Sequence, residues 1–302
     1  MGNRVLGVGY SLPAEDDYAF RTLGPRLDEA ESHGVDFVEL PVHSMDLIAA
    51  ARVLPGPLKT VKGMLAGRSL RYTVHGPMAI NLMDVPARLA RHQDVLKASL
   101  DISAELGAVH YVLHGGIIDA SHAEAEEDLF AQQRDILATF GDEARERGLI
   151  IAVENLFTSS SKNQTALPSR LAREIAAVAH PHIWACLDFS HGALNSAAHG
   201  AVFIEEAAAL APFAKHLHLH DSFGRPAEFF TPRRAERLAY GEGDLHLPLG
   251  LGNLPWDALM ERLDFPGGVI FNIELAKPYW TELGKVIETA RGLAARARTA
   301  GS

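Results

Sequence analysis

Histidines and carboxylates recur in this sequence where short apolar stretches end. The stretch HLHLHDS, residues 216–222, places His216, His218 and His220 on alternate positions, and alternate positions of a β-strand share one face. Polar side chains on the inward face of a packed sheet need partners. Imidazole together with carboxylate is the ligand set that suits Zn²⁺ or Mn²⁺. This pattern therefore points to a divalent-metal site.

Strands and helices alternate along the predicted fold. Amphipathic segments, clearest at 87–106 and 125–148, predict helices between the apolar stretches. Eight such units favour parallel strands joined by right-handed crossovers, and they predict one α/β domain over residues 1–302, a single (β/α)8 TIM barrel. The predicted strands are 4–10, 36–40, 70–75, 108–114, 149–155, 182–189, 215–221 and 268–275.

The candidate ligands cluster at the carboxyl ends of these strands, the face on which barrel active sites form. A single histidine there is usually a buried or rim residue. Six successive strand ends with carboxylate or imidazole side chains favour one shared site, because a dry cluster of such groups needs cations to offset desolvation and repulsion. The predicted metal ligands, for one to three ions, are Glu154, Asp188, His218, Glu274, His75, His114, His191, Asp244 and His246.

Several neighbouring residues receive other roles. His216 and His220 are expected to support the ligands, although replacement of His218 by either stays open, and His110 is expected to be structural. Six further histidines are expected away from the site: His43, His92, His122, His180, His182 and His199. The residues expected to contact substrate are His191, Arg225, Tyr10 and Glu39. The aromatic candidates for stacking on a sugar are Phe157, Phe189, Phe223, Phe229, Phe230 and Trp280, with apolar packing the alternative for at least half of them.

Residues 222–254 form the longest irregular stretch and are expected to fold over the barrel mouth. Extended backbone at 244–246 would put Asp244 and His246 on one face, as paired ligands require. The alternative is an exposed loop in which Asp244 caps a turn and His246 is solvated. The same loop carries Arg233, Arg234 and Arg237, for an anionic substrate, a neighbouring subunit or only water.

Composition limits the class of protein. The chain has 302 residues, 47% of them hydrophobic, and a formal net charge of −10. The acidic balance disfavours nucleic acid as a partner, and the lack of a signal-peptide pattern or a long apolar run predicts a cytoplasmic protein with no membrane contact. Cys186 is the only cysteine, which excludes an intrachain disulfide. A small-molecule substrate and a homo-oligomer are expected.

At these positions the chain resembles the xylose isomerase-like TIM-barrel superfamily, which includes sugar isomerases, sugar epimerases and the endonuclease IV family. The resemblance extends from GVDFVEL to NIEL. It implies that a single ion, as in sugar epimerases, is held by Glu154, Asp188, His218 and Glu274. The element DFSH matches D-x-x-H, whose histidine, here His191, often contacts substrate.

Endonuclease IV is similar in more motifs. HGPMAINL, HLHDS and DLHLPLGLG parallel its segments and complete a nine-ligand trinuclear zinc set. By that resemblance one ion is held by His75, His114 and Glu154, a second by the epimerase set, and a third by His191, Asp244 and His246. The departures are Met78 in place of an aromatic residue, NLFTSSS in place of a glycine-rich run, and the acidic net charge.

Two chemistries follow for one site. In a sugar or sugar-phosphate isomerase or epimerase, Glu154 and Glu274 would carry protons at a hydroxy-carbonyl substrate held by the ion. The alternative is metal-assisted phosphoester hydrolysis, on an abasic DNA site or on a small molecule, for which the extra ligands are needed. Lyase or oxidative chemistry, or metal binding without turnover, also stays open. The number of bound ions distinguishes the two main hypotheses.

Overall fold

A closed barrel of eight parallel strands forms the centre of the molecule in a computed structural model that describes residues 5–14, 20–158 and 162–299. Each strand pairs with its neighbours in chain order, and the last pairs with the first, which confirms the predicted (β/α)8 barrel. All eight predicted strands are present. They are β1 Gly7–Ser11, β2 Phe37–Pro41, β3 Arg71–His75, β4 Ala108–His114, β5 Ile150–Glu154, β6 Ile183–Asp188, β7 Ala214–Leu219 and β8 Ile270–Ile273.

Helices surround the barrel. The amphipathic segments predicted at 87–106 and 125–148 form the two longest helices that the structure describes, which confirms both predictions. The helices are α1 Leu23–His33, α2 Pro55–Leu65, α3 Pro86–Glu105, α4 Glu126–Glu146, α5 Pro168–Val178, α6 Phe189–His199, α7 Phe203–Leu210, α8 Arg234–Tyr240, α9 Trp256–Arg262 and α10 Leu283–Arg296. Among the described residues, no helix is both long and apolar enough to cross a bilayer.

Strand register sets the height of the site residues. His114 on β4 is level with Glu154 on β5, and Asp188 on β6 is level with His218 on β7. Because side chains alternate between the faces of a strand, the apolar neighbours of these residues face the helices instead. Leu217 and Leu219 are fully buried in the main hydrophobic core. The alternation of HLHLH therefore separates a polar interior from an apolar outer layer.

Short elements build the mouth above the strands. Ile117–Asp119 pairs antiparallel with Asn163–Thr165 on one side of the mouth. On another side lies the segment 222–254, predicted as the longest irregular stretch. That segment contains the seven-residue helix α8, so it is partly regular.

Candidate metal centre

A pocket of about 410 Å³ opens at the carboxyl ends of the strands. Its volume is in the range of small-molecule sites. Asp188 and His218 are fully buried and do not line the pocket. Each of them contacts a residue that does line it: Asp188 contacts His191, and His218 contacts Glu154. The predicted site residues that line the pocket are Glu39, His75, His114, Glu154, His191, Asp244, His246 and Glu274.

Glu154 lies at the centre of the cluster and is only 1% exposed. Its Oε1 lies 3.1 Å from Nδ1 of His191 and 3.3 Å from Nδ1 of His218. Its Oε2 lies 3.4 Å from Nε2 of His75 and 3.5 Å from Nε2 of His114, yet it has no partner with hydrogen-bond geometry. A buried carboxylate oxygen without a hydrogen bond, surrounded by imidazole nitrogens, fits a divalent cation, because coordination would satisfy all three groups.

Ligand atoms within 4.8 Å of one another form two groups that correspond to two of the predicted sets. His75, His114 and Glu154 form the first, as the resemblance implies. Glu154, Asp188 and His218 form the second. The fourth residue of that set, Glu274, has Oε1 3.7 Å from Nδ1 of His218. The donor types in both groups suit Zn²⁺ or Mn²⁺.

The third predicted set is arranged differently. Oδ2 of Asp244 lies 3.4 Å from Nε2 of His191 and 2.7 Å from Nε2 of His246. Among the described residues, however, the grouping that contains His246 is the one with His220 and Glu274. His246 has φ of 47°, in the left-handed region, so the expectation of extended backbone at 244–246 is wrong at that residue. Such strain in a residue other than glycine is typical of functional sites.

His220 links the strand-end ligands to the loop. Its Nε2 lies 3.0 Å from Oδ2 of Asp188, and its ring stacks on that of His246 with the ring centres 4.0 Å apart. Nδ1 of His220 lies 3.7 Å from Oδ1 of Asp244 and has no hydrogen-bond partner. His220 therefore contacts residues of two predicted ligand sets and also forms a ligand grouping with His246 and Glu274.

Below the ligands, Glu39 organises the polar interior of the barrel. It is fully buried, and its two oxygens lie 3.2 Å from Nε2 of His218 and 3.1 Å from Nε2 of His216. Ser11 and Thr73 donate hydroxyl hydrogen bonds to the same carboxylate. A carboxylate on one nitrogen of an imidazole holds the ring orientation and leaves the other nitrogen for a ligand. In His218 this second nitrogen is Nδ1, which lies 3.3 Å from Oε1 of Glu154.

The histidines of HLHLHDS thus have three different environments. His218 faces the ligands, His220 lies beside them, and His216 is one layer deeper. His216 also contacts His110, with their Nδ1 atoms 3.3 Å apart, so His110 has the structural position that was expected. The alternation places all three side chains inside the barrel, where each has a buried polar partner.

Local backbone contacts hold the β6 end of the site. Asp188 is the N-cap of α6 and accepts a hydrogen bond from the backbone N–H of His191. The side chain of Asn155 makes two hydrogen bonds with the backbone of Asp188, one as donor and one as acceptor. The carbonyl of Asn155 also lies 3.1 Å from Nδ1 of His191. Asn155, which directly follows Glu154, therefore couples the ends of β5 and β6, a role that the sequence did not reveal.

Asp221 anchors the loop that carries Asp244 and His246. It is fully buried, and its carboxylate accepts hydrogen bonds from the backbone N–H groups of Ser222, Gly250 and Leu254 and from the indole of Trp256. Its backbone pairs with Leu247 in both directions, with N···O distances of 2.9 Å. A Cβ at Gly252 would come within 2.4 Å of this carboxylate, so only glycine fits.

Electrostatics in the cluster couple carboxylates with imidazoles. Burial raises the pKa of Glu154, but His218 and His191 outweigh burial and hold it well below its ordinary value. Burial lowers the pKa of His246, but Asp244 outweighs burial and raises it to about 9. Because metal ligands must be deprotonated, a divalent ion would displace protons from such imidazoles.

Two predicted substrate contacts lie away from the pocket. Tyr10 is 1% exposed and packs against Trp280 outside the barrel, because β1 extends to Ser11 and it is Ser11 that faces inward. Arg225 is exposed and does not line the pocket, although its backbone carbonyl accepts from Gly243. The structure therefore does not bring either residue to the expected position.

Of the aromatic candidates, one lines the pocket and the others do not. Phe157 lines the pocket and lies beside His191, with ring centres 5.0 Å apart. Phe189 packs on Trp256 in the core, and Phe230 is 92% exposed. The residues that do not line the pocket are Phe189, Phe223, Phe229, Phe230 and Trp280. Of the basic residues in the loop, Arg234 donates to the carbonyl of Leu245. Neither Arg233 nor Arg237 lines the pocket.

His43 and Met78 line the pocket, although sequence reasoning did not assign them to it. His43 was expected away from the site, and that expectation is wrong: its ring meets that of His75 edge to face, with the centres 5.0 Å apart. It lies in the short 3₁₀ helix Val42–Ser44 directly after β2. Its position two residues after a strand end was the only signal in the sequence.

Comparisons with known proteins agree with this architecture. A solved structure described as a D-tagatose 3-epimerase-like protein matches with a TM-score of 0.71 at 14% identity, covering 96% of this chain and 98% of that one. A D-psicose 3-epimerase crystallised in the presence of D-fructose matches at 0.64 and 15% identity, covering 96% and 97%. A protein from Thermus thermophilus, soaked with ZnCl₂, matches at 0.65 and 22% identity, covering 97% and 99%. At these identities the likeness shows the fold.

No curated protein sequence gives a significant match to this chain. A family model described as xylose isomerase-like TIM barrel matches residues 27–296. That span includes seven of the eight barrel strands and all nine predicted metal ligands. The chain therefore belongs to the xylose isomerase-like TIM-barrel family.

Proposed function

We propose that this protein is a divalent-metal-dependent isomerase or epimerase that acts on a hydroxy-carbonyl substrate of the sugar type. The observation that carries the proposal is the convergence of Glu154 and Glu274 on Nδ1 of His218, at 3.3 and 3.7 Å, at the base of a pocket of small-molecule size. The sugar epimerases among the structural neighbours are in keeping with it.

A divalent ion bound by Glu154, Asp188, His218 and Glu274 would hold adjacent hydroxyl and carbonyl oxygens and stabilise negative charge that develops on them. Of these four residues, Glu154 and Glu274 line the pocket. The side chain of Glu274 is 14% exposed, so its carboxylate is open to substrate. One of Glu154 and Glu274 takes the proton from the carbon between the two oxygens, and the other returns a proton. His191 lines the pocket, with its Nε2 3.4 Å from Oδ2 of Asp244, and in this proposal its ring contacts a substrate oxygen.

A trinuclear phosphoesterase is the second candidate, favoured by one specific observation. His75 and His114 approach Oε2 of Glu154, whereas His218 approaches Oε1, and a single-ion epimerase does not need that second group. Closely spaced ions would generate hydroxide and hold the attacking and leaving oxygens. The net charge of −10 disfavours a nucleic-acid substrate.

The test combines metal counting with an assay of turnover. The protein is loaded separately with Zn²⁺ and Mn²⁺, and bound ions are counted by inductively coupled plasma mass spectrometry. It is then assayed with a panel of ketoses in D₂O, where proton transfer at carbon appears as deuterium incorporation by NMR. One tightly bound ion with exchange supports the proposal. Three ions, no exchange and hydrolysis of bis(p-nitrophenyl) phosphate would overturn it in favour of the phosphoesterase.

A further inference from the structure

Apolar side chains form the walls of the pocket above its floor of carboxylates and imidazoles. Phe157 and Met78 lie on these walls, and Met78 is 52% exposed towards the mouth. A hydroxyl group held against such a wall would lose its hydrogen bonds with water and gain none. The apolar lining residues are Leu12, Pro13, Ala14, Pro41, Met78, Ile117, Leu156, Phe157 and Leu275. The walls therefore suit an apolar group.

The described lining lacks the lysine and arginine side chains that usually bind a phosphate. Among the residues that the structure describes, none that lines the pocket is a lysine or an arginine. The two internal segments outside the described residues, 15–19 and 159–161, have the sequences EDDYA and SSS and contain no basic residue either. Carboxylates at the floor, including Glu39 and Glu274, would repel an anionic substituent of the substrate.

The usual phosphate position of a TIM barrel is also taken. Such barrels bind phosphate with the loops after strands seven and eight and a nearby helix N-terminus. Here the backbone N–H groups of Ser222, Gly250 and Leu254, in the loop after β7, already donate to the buried carboxylate of Asp221. An anion from the protein itself thus occupies donors that a phosphate would need.

We infer that the substrate carries an uncharged, mainly apolar substituent next to its metal-binding hydroxy-carbonyl unit, and that phosphorylated substrates are excluded. The inference rests on the proposed function, which assigns the hydroxy-carbonyl unit to the floor of the pocket. The apolar walls indicate the character of the rest of the substrate molecule. Phe157, beside His191, would contact a planar or aliphatic group directly above the reacting carbon.

Three probes that share the unit HO–CH₂–C(=O)–R test this inference. R is phenyl in 2-hydroxy-1-phenylethanone, hydroxymethyl in dihydroxyacetone and phosphonooxymethyl in dihydroxyacetone phosphate. Dissociation constants are measured by isothermal titration calorimetry on the full chain loaded with Mn²⁺. We expect the phenyl probe to bind at least about tenfold more tightly than dihydroxyacetone, and the phosphate to bind most weakly. Equal or tighter binding of the phosphate would overturn the inference.

Wall variants provide a second readout. Phe157→Ala should reduce the preference for the phenyl probe over dihydroxyacetone by about tenfold, because the ring loses its apolar contact. Phe230→Ala is the matched control, since that ring is 92% exposed and does not line the pocket. Met78→Lys should tighten binding of the phosphate by about tenfold by adding a cation to the wall. Unchanged preferences in both wall variants would overturn the inference.

Different results would contradict the proposed function and the inference about the substituent. If dihydroxyacetone phosphate binds best and dihydroxyacetone also binds, the hydroxy-carbonyl unit is held and only the assignment of the walls is wrong. If none of the three probes binds while calorimetry shows that Mn²⁺ itself is bound, the floor does not take a hydroxy-carbonyl group. The proposed function then fails, and the inference fails with it.

Discussion

Two regions supply the candidate ligands in physically different ways. The strand ends hold Glu154 and His218 through the ladder of a closed barrel, in which a shift of one residue would turn each side chain to the other face. The loop 222–254 presents Asp244 and His246 through a few contacts centred on Asp221. Ligands on strands share the stability of the whole barrel, whereas ligands on the loop depend on one buried carboxylate.

The largest effect is expected from Glu154→Gln, which removes the charge shared by both strand-end ligand groups. The variant should lose bound metal and all turnover, because a neutral amide is a poor ligand and cannot carry the proton. Metal content by mass spectrometry and activity are the measurements. Glu146→Gln, at an exposed position near the end of α4, is the control. Full metal content in Glu154→Gln would show that Glu154 is not a metal ligand.

Glu274→Gln should also abolish turnover but retain more metal. Its side chain is 14% exposed, and its ligand atoms are absent from both close groupings that contain Glu154. The comparison of metal content between the two glutamine variants shows which carboxylate contributes more to coordination. Near-native activity in Glu274→Gln would exclude this carboxylate as a proton carrier.

Asp221→Ala should affect the loop more than the strand ends. Three backbone N–H groups and one indole N–H lose a charged acceptor, and we expect the free energy of unfolding to fall by roughly 2–4 kcal/mol. Urea denaturation measures this loss, and limited proteolysis reports whether cleavage concentrates in 222–254. The strand-end ions should remain bound. Loss of all metal in this variant would contradict the separation of the two regions.

Glu39→Gln tests how far metal binding at the strand ends depends on a residue below the ligands. The fully buried carboxylate contacts Nε2 of His218, so the amide should lower metal affinity about 10- to 100-fold without unfolding the barrel. Competition with a chelator measures the affinity, and circular dichroism checks the fold. Because Glu39 acts through His218, turnover at saturating metal should recover largely. A permanent loss of turnover there would indicate a direct contact between Glu39 and substrate.

The smallest effects are expected in the third predicted ligand set. Asp244→Ala and His191→Ala should each remove at most one ion, since neither residue belongs to the two strand-end ligand groups that contain Glu154. If metal-loaded variants contain as many ions as the native protein, no third ion is bound by His191, Asp244 and His246. The single-ion interpretation of the site then gains support over the trinuclear one.

The sequence alone determined the barrel and the approximate place of the candidate ligands. Eight apolar stretches alternating with amphipathic helices predicted the strands, and the period of two in HLHLHDS predicted that His218 and its alternate neighbours share a face. These features are local, because side-chain direction along a strand and apolar periodicity along a helix follow from a few neighbouring residues.

Only the tertiary structure decided which face is inward and which distant residues meet. Tyr10 and Ser11 differ by one position, and barrel closure turned the serine towards the pocket and the tyrosine towards Trp280. Glu39 and His218 are 179 residues apart, so no local pattern could pair them. The left-handed backbone of His246 depends on the closed loop around it. Periodicity orders residues along an element, whereas contacts across the barrel depend on how all eight strands close.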